Sequence, residues 1–509
     1  MSFYITTPIY YVNGEPHHGH AYTTVAADVL ARFHRQRGED VFFLTGTDEH
    51  GTKVAQAAEE RGLTPQQHVD QLAPRYRELA AALGASNDFF IRTTDPEHEA
   101  FVQGFVEKLR AAGDVEKRSY GGLYCTACEA FWYERDLTAE GLCPDHGVKP
   151  IWLEEENYYF LLSRYQDRLA DFFRANPGLV KPKSRFNEAL SFIEQGLEDI
   201  SISRSSITWG VSVPWDDEQV IYVWVDALIN YLSALTYARP GEDLTARYWP
   251  AFHLLAKDIL KFHAVIWPAL LMSAGYDLPT GELIHGYLLV GGEKMSKTRG
   301  NVLDPFAVIE EVGAEPLRYY LMREVTLGQD GDVSMDGLRA RYNNELANEL
   351  GNLVSRTVSM IGKYRDGAIP QAGPESEALA AVAAEGEAMV AKAAEQYAAL
   401  SVTAALDTIW EYVRRLNKLV EEEAPWKLAK DEALARRLDA VLNGLAAGLR
   451  LVALAVYPVI PVTAVEVLRR LGQAHGDADL LAEKATWAAL TPATVVAGAS
   501  LFPRLESAG

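Results

Sequence analysis

The run Pro16-His17-His18-Gly19-His20 constrains the fold of this chain more than any other feature. An apolar stretch, Phe3 to Val12, precedes it and predicts a buried strand. From about Ala21 to Arg37 the pattern becomes helical, with Val25, Val29 and Phe33 on one face and Gly38 as a stop signal. The histidines therefore fall at a strand-to-helix turn, where backbone N–H groups and the helix dipole favour anions. Gly19 lets a phosphate approach the backbone closely.

A second signature, Lys294-Met295-Ser296-Lys297-Thr298, lies past the middle of the chain, flanked by Gly291, Gly292 and Gly300. Two lysines three residues apart on such a stretch suit a mobile loop that closes on pyrophosphate. Alone, the first run is a weak signal that a solvated pair of turn histidines also explains, and the second is most often a surface loop. Together, in this order and each in strand-like context, they supply the means to hold ATP by its phosphates and break it between the α and β positions.

The three cysteines cannot form a paired disulfide framework. Cys125-x-x-Cys128 is followed, after fourteen residues, by Cys143-x-x-His146. This is the ligand spacing of a tetrahedral zinc site with three thiolates and one imidazole. Protein fills all four positions and leaves none open for water, so the Zn2+ is structural. It would supply folding energy to an insertion too small for its own core, with Phe131, Trp132 and Tyr133 in a small hairpin between the ligand turns.

A chain of 509 residues should hold three or four modules. Met1 to Val12 has no basic leader region. The most apolar stretches, such as Leu254 to Leu271, are interrupted by Lys257, Asp258, Lys261 and Pro268, so no membrane span is expected and the cytoplasm is the default. The net charge of −22 argues against long-range steering toward nucleic acid, yet binding needs only a local basic stripe. Arg339, Arg341 and Arg356, and Arg414, Arg415, Lys418, Lys427 and Lys430, are candidates for one.

The pattern along the chain predicts an α/β fold: a doubly wound, Rossmann-like parallel sheet with a zinc-knuckle insertion and a C-terminal α-helical bundle. Residues 1–115 form the first half of the nucleotide-binding domain and 116–217 the insertion. Residues 218–288 form the second half, with Val220–Val225 and Phe252–Leu255 as returning strands. Residues 289–341 hold the lysine loop and short helices. Residues 342–509 are helical, as in Leu406, Ile409, Val413, Leu416 and Val420, with Asp366 to Glu377 the clearest loop.

At these residues the sequence resembles the class I aminoacyl-tRNA synthetases, whose two ATP signatures match Pro16–His20 and Lys294–Thr298. Within that class it is similar to the bacterial-type methionyl enzymes. Thr6–Gly14 looks like their opening strand, and Phe43-Leu44-Thr45-Gly46-Thr47-Asp48-Glu49-His50-Gly51 like their second strand and following loop. Tyr222-Val223-Trp224-Val225-Asp226-Ala227 and Asn352-Leu353-Val354-Ser355-Arg356 extend the likeness into later domains.

The resemblance implies an ATP-dependent ligase that forms methionyl-adenylate and pyrophosphate and then charges the 3′ end of initiator and elongator tRNA(Met). It implies that His17, Gly19 and His20 hold the nucleotide, with Lys294 and Lys297 closing on its phosphates and Mg2+ bridging them. Lys257 and Asp258 would lie near the ribose. Ile9, Tyr11, Asp48, Trp224, Ala227, Leu228, Tyr231, Ile259, Phe262 and His263 would form the methionine pocket. There Asp48 would hold the α-ammonium group, and Tyr231 and His263 would donate to sulfur. Asn352, Arg356 and Trp426 would read the anticodon. No dimerising extension follows the helical bundle, so a monomer is expected.

Three positions depart from the family pattern. His18 replaces an apolar residue, Ala256 stands where glycine commonly precedes Lys-Asp, and Thr298 replaces serine while keeping the hydroxyl. Other readings are a synthetase for another apolar amino acid, a smaller nucleotidyltransferase, or an inactive tRNA-binding scaffold. The insertion is too short for the editing enzymes, and a nucleotidyltransferase would not need the helical tail. Intact His17, His20, Lys294 and Lys297 argue against a scaffold.

Overall fold

The computed structural model describes residues 2–125, 130–144, 147–291, 293–294, 304–371 and 377–506. Its centre is a seven-stranded parallel sheet. The strands are β1 (Ser2–Thr6), β2 (Tyr10–Tyr11), β3 (Asp40–Asp48), β4 (Phe89–Arg92), β8 (Val180–Lys181), β13 (Phe252–Ala256) and β14 (Gly281–His285). Their order is β2-β3-β1-β13-β14-β8, with β4 also on β3. Tyr4, Ile5 and Thr6 of β1 and Leu254 and Leu255 of β13 are buried, as befits central strands covered on both faces.

Three details differ from the sequence expectation. Phe3–Val12 is two strands: Pro8 has no N–H to donate, so the chain breaks there and β2 pairs with the far end of β3, Tyr10 with Thr47 and Tyr11 with Asp48. Val220–Val225 is not a strand of the main sheet. β12 (Asp216–Ile221) pairs antiparallel with β10 (Ser203–Arg204) and β11 (Ser212–Val213), and a helix, Val223–Tyr237, begins two residues later. The apolar run was too short for periodicity to separate strand from helix. The interval 116–217 also contributes β8 to the edge of the main sheet, with Val180 opposite Glu282 and Lys181 opposite Leu283.

The same interval holds an antiparallel sheet of β5 (Val115–Cys125), β6 (Ala130–Trp132), β7 (Ile151–Phe160) and β9 (Ile200–Ser201), with β5 and β6 as a hairpin. After the main sheet, β15 (Leu288–Val290) pairs with β16 (Glu293–Lys294) and β17 (Gly331–Asp332). The helices Asn352–Arg365, Glu377–Ala398, Val402–Glu423, Ala435–Val456 and Pro461–Arg470 follow. Leu406, Ile409, Val413, Leu416 and Val420 are all fully buried. Gly386 has no room for a Cβ, which would lie 2.5 Å from the Tyr412 hydroxyl of the neighbouring helix. The segment Glu432–Val456 has the length and mean hydropathy, 1.6, of a membrane span, but 89% of its apolar window is buried, as in a core helix.

One hydrophobic core runs from Val25, Val29 and Leu30 of the first helix, His18–Gln36, into Leu449, Leu454 and Ile460 of the helical region. Polar bonds cross the same junction: Gln36 Nε2 donates to the Leu454 carbonyl at 2.7 Å, and Arg318 donates to the carbonyls of Pro458 and Val459.

Candidate active site

His17 is the N-cap of the first helix. Its Nδ1 accepts from Gly19 N–H at 3.1 Å, while His20 Nδ1 accepts from His17 N–H at 3.0 Å. The two imidazoles do the work that Ser and Glu perform in an ordinary capping box. With both Nδ1 atoms accepting, each neutral ring carries its proton on Nε2 and can donate from there. The rings stack at 3.9 Å. Gly19 is required locally, because a Cβ there would lie 2.9 Å from His17 Cε1. His18 turns inward and is 3% exposed, so its departure from an apolar residue is a buried one.

These histidines open onto a cavity of about 500 Å³ at the C-terminal ends of the parallel strands, where open α/β sheets bind ligands. Its lining combines His17, Gly19 and His20 with Ile9, Tyr11, Asp48, Trp224, Ala227, Leu228, Tyr231, Asp258, Ile259 and His263. The sequence thus brings the expected nucleotide and amino-acid residues into one chamber. Two expected members stand behind it. Phe262 does not reach the lining but stacks on Trp224, ring centroids 4.4 Å apart. Lys257 is turned to Asp330, its Nζ 2.7 and 2.8 Å from the two carboxylate oxygens. Ala256, which stands where glycine is common in the family, lines the cavity.

The apolar end holds a defined hydrogen-bond chain. His263 Nδ1 faces the Ile259 carbonyl at 3.0 Å, so Nδ1 carries the proton and Nε2 accepts from Tyr231 Oη at 2.8 Å. Burial pushes the His263 pKa down to about 4, which keeps the ring neutral. Both protons of this pair are engaged, which departs from the expectation that Tyr231 and His263 donate to sulfur. What they offer a thioether is an apolar, polarisable wall. Asp48, 5% exposed at the end of β3, is the carboxylate of this chamber suited to an ammonium group.

Behind Trp224 and Ala227, Asp226 fixes their helix to the rest of the domain. Its carboxylate meets His50 Nδ1 at 2.7 Å and His98 Nε2 at 2.8 Å, and His98 Nδ1 meets Ser233 Oγ at 2.7 Å. Burial alone would raise the Asp226 pKa, but His50 and His98 outweigh it and hold it at about 2. Burial likewise opposes charge on His50, and Asp226 reverses that to raise its pKa.

The family described as tRNA synthetases class I (M) matches residues 3–148 and 143–358. The chain is 44% identical to the methionine–tRNA ligase of Caldanaerobacter subterraneus over 99% of its own length and 79% of that relative's. Identity to the methionine–tRNA ligase of Streptomyces coelicolor is also 44%, over 99% of this chain and 97% of the relative. The chain belongs to the class I methionyl-tRNA synthetases. Its fold matches that of Mycobacterium tuberculosis methionyl-tRNA synthetase in complex with methionyl-adenylate, with a TM-score of 0.94 and 41% identity, covering 99% of this chain and all of that one.

Several cavity residues of this synthetase carry no motif of their own. Glu15 and Tyr76 line the cavity, as do His285, Gly286 and Tyr287. His285 Nε2 meets Thr23 Oγ1 of the first helix at 2.9 Å. The available signal for it was position, since His285 ends a buried strand just before the lysine signature. The backbone of Lys294 pairs with Leu289, while its side chain and all of Lys297 lie outside the described residues.

Of the expected zinc ligands, Cys128 and His146 lie outside the described residues, and no group of three metal-ligating side chains occurs among those described. Cys125 and Cys143 are both fully buried. Cys125 ends the first strand of the β5–β6 hairpin, opposite Ala130, and the Cys143 carbonyl accepts from Gly147 N–H at 2.8 Å in a tight turn.

Far along the chain, Asn352 and Arg356 line an open surface cleft with Asn348, Glu349, Arg414, Asn417, Lys418 and Glu421, in which Arg414 pairs with Glu349 and Lys418 with Glu422. Trp426 is outside that lining and 41% exposed. Of the other basic candidates, Arg339 pairs with Glu311, Arg341 with Glu324 and Glu345, and Arg415 with Glu385 and Glu422.

Proposed function

We propose that the chamber at the strand ends activates L-methionine with ATP and that the surface cleft of the helical region selects tRNA(Met). The observation that carries this reading is the shared lining: the signature histidines and an apolar slot with one buried carboxylate face the same cavity. The methionine carboxylate is ionised at neutral pH and attacks the α-phosphate without a general base, so catalysis rests on alignment and charge stabilisation. Asp48 holds the α-ammonium group. Trp224, Ala227, Leu228, Tyr231, Ile259 and His263 enclose the side chain with Ile9 and Tyr11, and Phe262 supports Trp224 from behind. His17 and His20 donate from Nε2 to the phosphates, and Asp258 lies on the ribose side. Lys294 and Lys297 act on the leaving pyrophosphate, Lys297 above all in the transition state.

Mg2+ bound with ATP would supply neutralisation of phosphate charge. A structural Zn2+ would be held by Cys125, Cys128, Cys143 and His146; the full burial of the two described thiols supports this donor set. Residues 342–509 are read as an anticodon-binding domain, its described α-helices ending at Arg470 where the sequence pattern predicts helix throughout, in which Asn352 and Arg356 contact base edges and Trp426 supplies a stacking platform. The synthetase would work in the cytoplasm, as a monomer, on initiator and elongator tRNA(Met).

Amino-acid-dependent ATP–pyrophosphate exchange tests the reading. Exchange should appear with L-methionine and be far weaker with leucine, isoleucine or valine. Exchange independent of amino acid, or absent with methionine, would overturn it.

A further inference from the structure

Three separate pieces of chain converge on the carboxylate of Asp330. Lys257, the residue after β13, approaches with Nζ 2.8 Å from Oδ1 and 2.7 Å from Oδ2. Tyr287, the residue before β15, donates its backbone N–H to Oδ1 at 2.8 Å. Asp330 itself precedes β17, whose Gly331 N–H donates back to the Tyr287 carbonyl at 3.0 Å. The Lys257 ammonium also sits 4.2 Å from the centroid of the Tyr287 ring. Gly286 closes the arrangement: a Cβ there would lie 2.3 Å from Gln329 C and 2.4 Å from Asp330 N, so only glycine allows this approach.

The placement gives the contact its meaning. Gly286, Tyr287 and Leu288 form one wall of the cavity, and Ala256 and Asp258, on either side of Lys257, form another. The strand that leaves this wall, β15, is the one against which the Lys294 backbone pairs. The ion pair is partly exposed, with side-chain exposures of 21% for Lys257 and 41% for Asp330. Pairs of that kind contribute little to global stability. Its effect is geometric, because it fixes how far the two walls stand apart.

We propose that Asp330 is a positioning residue for adenylate formation, acting through Lys257 and Tyr287. It sets the spacing between the nucleotide end of β13 and the strand pair that carries Lys294. On this assignment Lys257 serves the site by bonding Asp330, without touching ATP. The inference rests on the functional reading above.

The test is a double-mutant cycle in the full chain with Asp330→Asn and Lys257→Met, read by methionine-dependent ATP–pyrophosphate exchange and by thermal melting. Each single variant should lose about tenfold in kcat, within the range of coupled neighbours, and the double variant no more than either. KM for methionine and the melting temperature should stay near those of the unsubstituted enzyme. Losses that multiply, with Lys257→Met raising KM for ATP, would mean that Lys257 binds the nucleotide directly and would overturn the proposal. So would exchange unchanged in all three variants. Should Asp330→Asn melt early, Asp330→Glu keeps the charge facing Lys257. Recovery of exchange in that variant supports the proposal, and an equal loss overturns it. An unsubstituted enzyme without methionine-dependent exchange would instead refute the functional reading.

Discussion

Asp28 and Arg318 form an ion pair buried at the junction of the catalytic sheet and the helical region, with Nη2 2.7 Å from Oδ2 and both side chains at most 1% exposed. Asp28 lies on the same helix as the signature histidines. Its carboxylate also accepts from Arg32 and from the backbone and hydroxyl of Ser86. Arg318 also donates to the carbonyls of Leu83, Pro458 and Val459. Burial opposes the charged form of Asp28, but Arg318 and Arg32 outweigh it and hold its pKa below the usual carboxylate range.

Removing Arg318 leaves Asp28 buried with Arg32 as its remaining ion-pair partner, 2.8 Å away. Arg318→Met should therefore be destabilising but should stay below the ~3–5 kcal/mol of a fully stranded buried charge, read as a lower midpoint in urea unfolding. The double variant Asp28→Asn/Arg318→Met should recover part of that loss. A double variant less stable than Arg318→Met alone would count against the buried Asp28 charge as the cause.

Glu282, on β14 opposite His253 of β13, has its pKa pushed up to about 8 by burial, from an ordinary value of 4.5. The folded protein thus retains a proton that the unfolded chain releases. The stability tied to this group is intact below pH 4.5 and is lost as pH rises through 8. Glu282→Gln removes the titration, so its stability relative to the unsubstituted protein should rise between pH 5 and 8, by up to ~1.4 kcal/mol per pH unit. Paired thermal melts at several pH values would show this. A stability difference independent of pH would refute it.

Cys125→Ser should abolish stoichiometric zinc, measured by atomic absorption, and loosen the β5–β6 hairpin. The helical signal in circular dichroism should persist, because neither Cys125 nor Cys143 belongs to the hydrophobic core that holds the helices after residue 342. Unsubstituted protein purified without zinc, or a variant with full metal content, would rule out the site.

Trp426→Ala tests the separation of amino-acid chemistry from tRNA recognition. Stacking a base on an aromatic is worth about 1–3 kcal/mol, so aminoacylation of tRNA(Met) should fall roughly ten- to a hundredfold. Methionine-dependent ATP–pyrophosphate exchange should stay near normal. If both activities fell together, Trp426 would be a structural residue; if neither fell, the anticodon assignment would fail.

What the sequence made legible was chemistry that leaves a local mark. His17, Gly19 and His20 announced a strand-to-helix turn, and Leu406 to Val420 announced a buried helix face. Contacts between distant segments left no such mark. Nothing near Asp330 in the chain indicates that it bonds Lys257, and His285 meets Thr23 only because β14 ends beside the first helix. Pro8 did mark the break between β1 and β2, but the apolar residues around it concealed the break. The apolar stretch after Val220 misled for a related reason, since a short buried run looks the same as strand or helix.

The strand Val180–Lys181 decides whether the segment between the two halves of the sheet is removable. Because β8 lies hydrogen-bonded against β14, excising residues 116–217 would strip a neighbour from Glu282 and Leu283. The central sheet would then end in a bare row of backbone donors and acceptors, a template for another chain. The segment is accordingly no cassette that evolution or an engineer could swap at its termini. Any shortened version must retain those two residues or provide another cover for that edge.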